Sequence, residues 1–164
     1  MEYFVNCNSA SLNPIGGTLD KTKAEHLYRR LGFSASVATI NAAIGQPISA
    51  YVDNLIAEAI TMPEITTPIW GNWTGPDYPE DDDLRNQVQN EQRTEFYNTY
   101  INGLVTNNLR DRLSFFWSNH FVTEYRIYRA NPFLYRYVDC LQRNAIGNFK
   151  TFVSEIGLND AMLY

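Results

Sequence analysis

Apolar residues recur at helical spacing along almost the whole chain. In "TLDKTKAEHLYRRL", residues 18–31, Ala24, Leu27, Tyr28 and Leu31 fall at i, i+3, i+4 and i+7, the stripe of one amphipathic helix. Thr18 or Asp20 can cap it, and Gly32 suits a left-handed position just past its end. Glu25 and Arg29 stand four apart, a spacing that allows them to pair. A short second helix is expected in "SASVATINAAIG", with Ser34 or Ser36 as cap and Gly45 closing it. A third follows in "PISAYVDNLIAEAI", where Ile48, Val52, Leu55, Ile56 and Ala59 make the stripe and Pro47 sits near the first turn.

Residues 61–80, "TMPEITTPIWGNWTGPDYPE", interrupt this rhythm, because their prolines and glycines forbid a continuous helix. Trp70, Trp73 and Tyr78 mark the segment as a loop that is pinned to the core or used for binding, and pinning is the first expectation. "EDDD" at 80–83 then opens a long helix, since acidic residues complement the partial positive charge of a helix start. Leu84, Val88, Phe96, Tyr100 and Leu104 keep its spacing, and the wider apolar set from 96 to 105 suggests burial on two sides. A break is expected at Asn102-Gly103 or Asn107-Asn108. Beyond it, Leu109, Leu113, Phe116, Trp117 and His120 lie three and four apart and are expected to face the core together. Residues 122–131 read as helix or a short extended connection. Leu134, Tyr137, Val138 and Leu141 follow Pro132 on another helix, Gly147 interrupts, and Phe149, Phe152, Val153 and Ile156 mark the next. Asn159 or Asp160 caps a further one. The pattern therefore predicts an all-α fold, a compact bundle of about seven helices with one long Pro/Trp-rich loop. It comprises an extended arm over 1–17 and a single helical domain over 18–164.

Composition narrows the function classes. The chain has 164 residues and a net charge of −5, with no Lys/Arg run longer than two, so the electrostatic footprint of a nucleic-acid binder is missing. No apolar run approaches the ~20 residues of a transmembrane helix, and the N-terminus has neither the basic start nor the apolar middle of a signal peptide. The localisation stays open. Aromatic residues make up 14%, eleven of them Tyr, which suits a tyrosine-rich core or a surface for a protein or carbohydrate partner. Cys7 and Cys140 are too few for a disulfide framework. Two Cys and two His, all far apart, give no zinc motif, and no cofactor is indicated.

Candidate chemistry is sparse. No Gly-x-Ser-x-Gly elbow and no phosphate loop is present. His120 is the best single candidate for a base, since imidazole ionises near neutral pH; its plainer reading is a hydrogen-bonded core histidine. Beside it, Asn119 offers a polar contact. His26, Arg29 and Arg30 form a second cluster able to clamp a carboxylate or phosphate; the plainer reading is ion pairs to Glu25 and to Asp111 or Asp139. Arg110 and Arg112 read as the polar face of their helix. Trp70, Trp73 and Tyr78 are the candidate ligand-binding aromatics.

Three segments together resemble a bacterial family. "AEHLYRRLGFSAS" is similar to its opening motif, "LRDRLSFFWSNHF" to its second, and "LQRNAIGNFKTFVSEIGLNDAMLY" to its third. The family is the domain of unknown function 1800. Ser118 stands where relatives often carry the first of two histidines, and Ser34 where a glycine is common, so a His-x-His metal pair would lack one member here. Relatives continue well past the third motif. The resemblance therefore implies the N-terminal part of a longer bacterial protein, frequently exported, with its own C-terminal part as a partner. It implies a helical binding or assembly module, or else part of a hydrolase-like enzyme whose remaining catalytic residues lie beyond residue 164.

Overall fold

The computed structural model describes residues 13–32, 35–106 and 108–164. Cys7, Ser34, Asn107 and most of the expected arm lie outside them. Among the described residues the chain forms nine α-helices and no strand: α1 Lys21–Leu31, α2 Val37–Ala43, α3 Ile48–Thr61, α4 Asp82–Leu104, α5 Leu109–Ser118, α6 Tyr125–Tyr128, α7 Asn131–Arg143, α8 Phe149–Gly157 and α9 Asp160–Leu163. The fold is all-α. Seven of the helices have seven residues or more, and α6 and α9 are four-residue turns.

Short polar side chains start most of these helices. Asp20, Ser36, Asp81, Asn108, Asn148 and Asn159 each accept a bond from a first-turn backbone N–H, satisfying a donor that has no partner within the helix. Gly32 departs from expectation. Its backbone is extended, with φ −145°, so α1 ends without a left-handed residue. Gly45 does take a positive φ of 86°, a conformation that favours glycine. Its N–H donates to the Leu19 carbonyl at 2.8 Å, and the Leu19 N–H donates to the Gln46 carbonyl at 2.9 Å. The α2–α3 turn is thereby tied to the segment before α1.

Two apolar clusters form. The first gathers Leu19, Ala24, Tyr28, Leu31 and Ala43 from the N-terminal helices. The second is built around α7, whose Leu134, Tyr135, Tyr137, Val138, Cys140 and Leu141 are all buried. Pro132 in the first turn of α7 costs no helical hydrogen bond. Helix α5 packs against both α3 and α7, with Leu109 in the first cluster and Trp117 against the second.

The 61–80 loop is pinned, as its aromatics suggested. Two 3-10 turns, Ile69–Asn72 and Gly75–Asp77, give it shape. Trp70 is 5% exposed and meets Phe96 and Tyr135 edge-on at 5.8 and 6.5 Å. The Thr67 and Tyr135 hydroxyls lie 2.8 Å apart. Gly71 passes so near that a Cβ there would meet the Tyr135 ring at 3.2 Å, closer than a side chain tolerates without movement.

Four stripes differ from the periodicity. On α4, Tyr97, Ile101 and Val105 are exposed, so that helix is buried on one side only. On α3 and α8, Ile56, Phe149 and Val153 turn outward, while Ala59, Phe152 and Ile156 turn in. On α5 the expected core stripe is displaced. Phe116 is 46% exposed and His120 is exposed, whereas Asp111 and Ser114 face inward at 3% and 0%. The Ser114 hydroxyl donates to the Asp111 carbonyl at 2.8 Å and lies 3.4 Å from that of Tyr100 on α4.

Burial pushes the Cys140 thiol up to about 11 from its ordinary 9.0. Its neutral form therefore contributes stability that is present below pH ~9 and is lost as pH rises through about 11. Native protein at pH 8 is expected to react with a thiol reagent at Cys140 at least ~10-fold more slowly than in urea. A Cys7→Ser background isolates this rate, and equal rates would show the thiol to be open.

Candidate functional site

A cleft of about 400 Å³ opens between the 61–80 loop, the start of α4 and the α6–α7 junction. Its position is fixed by a buried polar network. Asn131 at the start of α7 is fully buried, and its amide donates to the Gln89 carbonyl at 2.8 Å and to Gln92 Oε1 at 2.9 Å. Tyr125 donates to Asn131 Oδ1 at 2.8 Å, and Tyr78 donates to Gln92 Oε1 at 3.1 Å. Loop, α4, α6 and α7 are thus tied by bonds whose loss would leave buried groups unsatisfied.

Aromatic rings and guanidinium groups line this cleft. Trp73 meets Tyr78 edge-on at 5.1 Å, and Phe133 lies on the α7 side. Thr74 and Asp77 close a capping box that holds the intervening turn, with the Thr74 N–H donating to Asp77 Oδ2 at 2.7 Å. That bond and the Thr74 hydroxyl hold the Asp77 carboxyl below its ordinary range. Burial pushes the Tyr78 phenol up, so it stays a neutral donor. Arg85, Arg129 and Arg136 supply the charge. Arg85 Nε donates to the Pro79 carbonyl at 3.0 Å, and Arg129 Nε to the Arg126 carbonyl at 3.1 Å; neither has a carboxylate partner among the described residues. Arg136 pairs with Asp160 and lies over the Phe133 ring at 5.9 Å. Among the described residues no Asp, Glu, His or Cys lines the cleft. Arg129 sits in the left-handed region at φ 47°, which costs a non-glycine residue ~1 kcal/mol or more. The arrangement offers charge-assisted donors and apolar faces, and so can bind an anion carried on a flat body.

A second polar cluster joins α5 to α7. The Asp111 carboxylate accepts from Gln142 Nε2 at 2.7 Å, from Asn108 Nδ2 at 2.7 Å and from Arg110 Nε at 3.4 Å. Arg110 also donates to the Pro63 carbonyl and is largely buried, so it is an internal strut and not part of a polar surface. Arg112 donates to the Arg30 carbonyl at 3.3 Å. Among the described residues no three His, Cys, Asp or Glu side chains are grouped as a metal site would need.

The residues singled out from sequence fall in separate places. His120 is exposed just beyond α5, its Nδ1 3.0 Å from the Phe116 carbonyl and its ring 4.3 Å from that of Phe116. The expected core histidine is therefore a surface one held to backbone. Asn119 donates to the Phe115 carbonyl at 2.8 Å and ends α5. Arg29 pairs with Glu25 at 3.8 Å. Asp111 and Asp139 instead take Arg110 and Arg143. His26 and Arg30 edge a groove on α1. Trp70 is core, and only Trp73 and Tyr78 reach the arginine cleft. The three arginines of the cleft escaped the sequence reading because they come from distant segments with no shared motif.

Neither the curated proteins nor the solved structures contain a match to this chain. A family profile does match residues 26–164, which carry α1 from its second turn through α9, under the description protein of unknown function, DUF1800. With the match extending over that much of the chain, the protein belongs to the DUF1800 family.

Proposed function

We propose that this domain is a binding module and that the arginine–aromatic cleft takes an acidic sugar. The observation that supports this reading is the convergence of Arg85, Arg129 and Arg136 on Trp73, Tyr78 and Phe133, with no acidic residue in the lining among the described residues. Guanidinium groups recognise carboxylate or sulfate oxygens in a fixed fork. Aromatic faces suit the flat apolar side of a sugar ring. A cationic cleft on a chain of net charge −5 is a local feature and not a by-product of overall composition. The hydrolase-like alternative requires His120, Arg30 and the loop aromatics to share one pocket, and they stand in different places.

Calorimetric titration of the whole protein with acidic and neutral oligosaccharides tests the reading. Arg129→Ala is expected to weaken binding of the acidic ligand roughly 10-fold or more, the equivalent of one charge-assisted hydrogen bond. Binding should also weaken as salt rises. Equal affinity for neutral and acidic sugars, or unchanged affinity in a folded Arg85→Ala, Arg129→Ala double variant, would overturn it.

A further inference from the structure

The N-terminal apolar cluster carries a second open cavity, a groove of about 480 Å³ along the outer side of α1. Leu19, Leu27, Ile48 and Val52 form its floor. Lys23, His26 and Arg30 edge it, spaced three and four apart so that they lie along one side of the helix. Lys23 is partly neutralised by Asp20 at 2.9 Å. Among the described residues Arg30 has no carboxylate partner and no acidic residue lines the groove. The pattern is an aliphatic trough with the cations Lys23 and Arg30, and His26 between them, along one edge.

We propose that this groove binds an amphipathic anion with an unbranched alkyl chain, a fatty-acid-type carboxylate. Its chain would lie over Leu19, Ile48 and Val52 and its headgroup against Arg30 and His26. The floor is made of aliphatic side chains, which leave the polar backbone of an extended peptide without partners at a cost in free energy. An alkyl chain carries no such groups. The cations stand on one edge, matching a ligand charged at one end. Nothing in this proposal depends on the sugar-binding cleft, which lies on the other apolar cluster.

The whole protein is titrated with octanoate, decanoate and laurate, and with the matching alcohols, below their aggregation concentrations. Each added methylene is expected to tighten binding about fourfold until the groove is full. The alcohols should bind roughly 10-fold more weakly than the acids. Arg30→Gln, at an exposed position, should abolish that preference and leave alcohol binding unchanged. Val52→Ser should weaken acid and alcohol alike, whereas Arg129→Ala should alter neither. Absence of binding by any chain length, affinity independent of chain length, an undiminished acid preference in Arg30→Gln, or loss of binding in Arg129→Ala would each overturn the proposal.

Discussion

Phe152→Ala is expected to lower the free energy of unfolding by about 3–5 kcal/mol, the range for emptying a fully buried phenylalanine site. Phe152 is 1% exposed. Its ring meets Trp117 at 5.3 Å, Phe121 at 5.0 Å and Phe149 at 6.4 Å, each edge-on. The substitution therefore removes apolar burial and several favourable ring contacts together. Domains of this size have total stabilities of about 5–15 kcal/mol, so the variant should lose a large share of its folded population under mild denaturant. Phe149, three residues earlier, makes the informative control. It is also aromatic and stacks on Trp117 at 5.6 Å, yet it is more than half exposed. Phe149→Ala should cost only about 1 kcal/mol. Urea unfolding followed by circular dichroism separates the two, and equal midpoints for both variants would contradict the burial pattern of α8.

That contrast also shows what the periodicity could and could not reveal. The 3.6-residue pattern places Phe149, Phe152, Val153 and Ile156 on one broad face, and helix α8 does form there. Which half of the face meets α7 depends on crossing geometry, and that is set by partners far away in sequence. The same logic explains α5. Its large apolar side chains outnumber its small ones, so a stripe through Phe116, Trp117 and His120 was the natural reading. The inward side instead carries Ser114, whose hydroxyl donates to the Asp111 carbonyl and lies 3.4 Å from that of Tyr100 on α4, and Asp111, which reaches α7 through the Gln142 amide. Helix starts were readable because a cap acts within three residues, as at Asp20 and Ser36. The loop was readable as pinned because large aromatics in a Pro-rich segment need a place to be buried, but that Trp70 and not Trp73 or Tyr78 takes the core position was not. The arginine cleft was not readable. Arg85, Arg129 and Arg136 come from α4, the turn after α6, and α7, and only tertiary packing brings them together.

Asp111→Ala is expected to destabilise the fold by about 3 kcal/mol or more, because it strips partners from buried groups without replacing them. The carboxylate accepts from Gln142 and Asn108 at 2.7 Å each and from Arg110 at 3.4 Å. Through those bonds it joins α5 to α7 and to the turn after α4. Its loss leaves the Gln142 amide N–H and the guanidinium of a largely buried Arg110 without that acceptor. Asp111→Asn keeps the shape but turns one acceptor into a donor facing donors, so it should cost less, about 1–2 kcal/mol. Gln142→Leu should cost less than Asp111→Ala. It removes one donor to the carboxylate, but it also removes Gln142 Oε1, a buried acceptor with no hydrogen-bond partner among the described residues. In the Asp111→Ala, Gln142→Leu double variant, both ends of the 2.7 Å bond disappear together. Its destabilisation should therefore be smaller than the sum of the single changes by roughly 1 kcal/mol or more. Denaturant unfolding of the four-member cycle measures that coupling. Strict additivity would mean that α5 and α7 are held by apolar contact alone, with the buried carboxylate contributing nothing specific to their register.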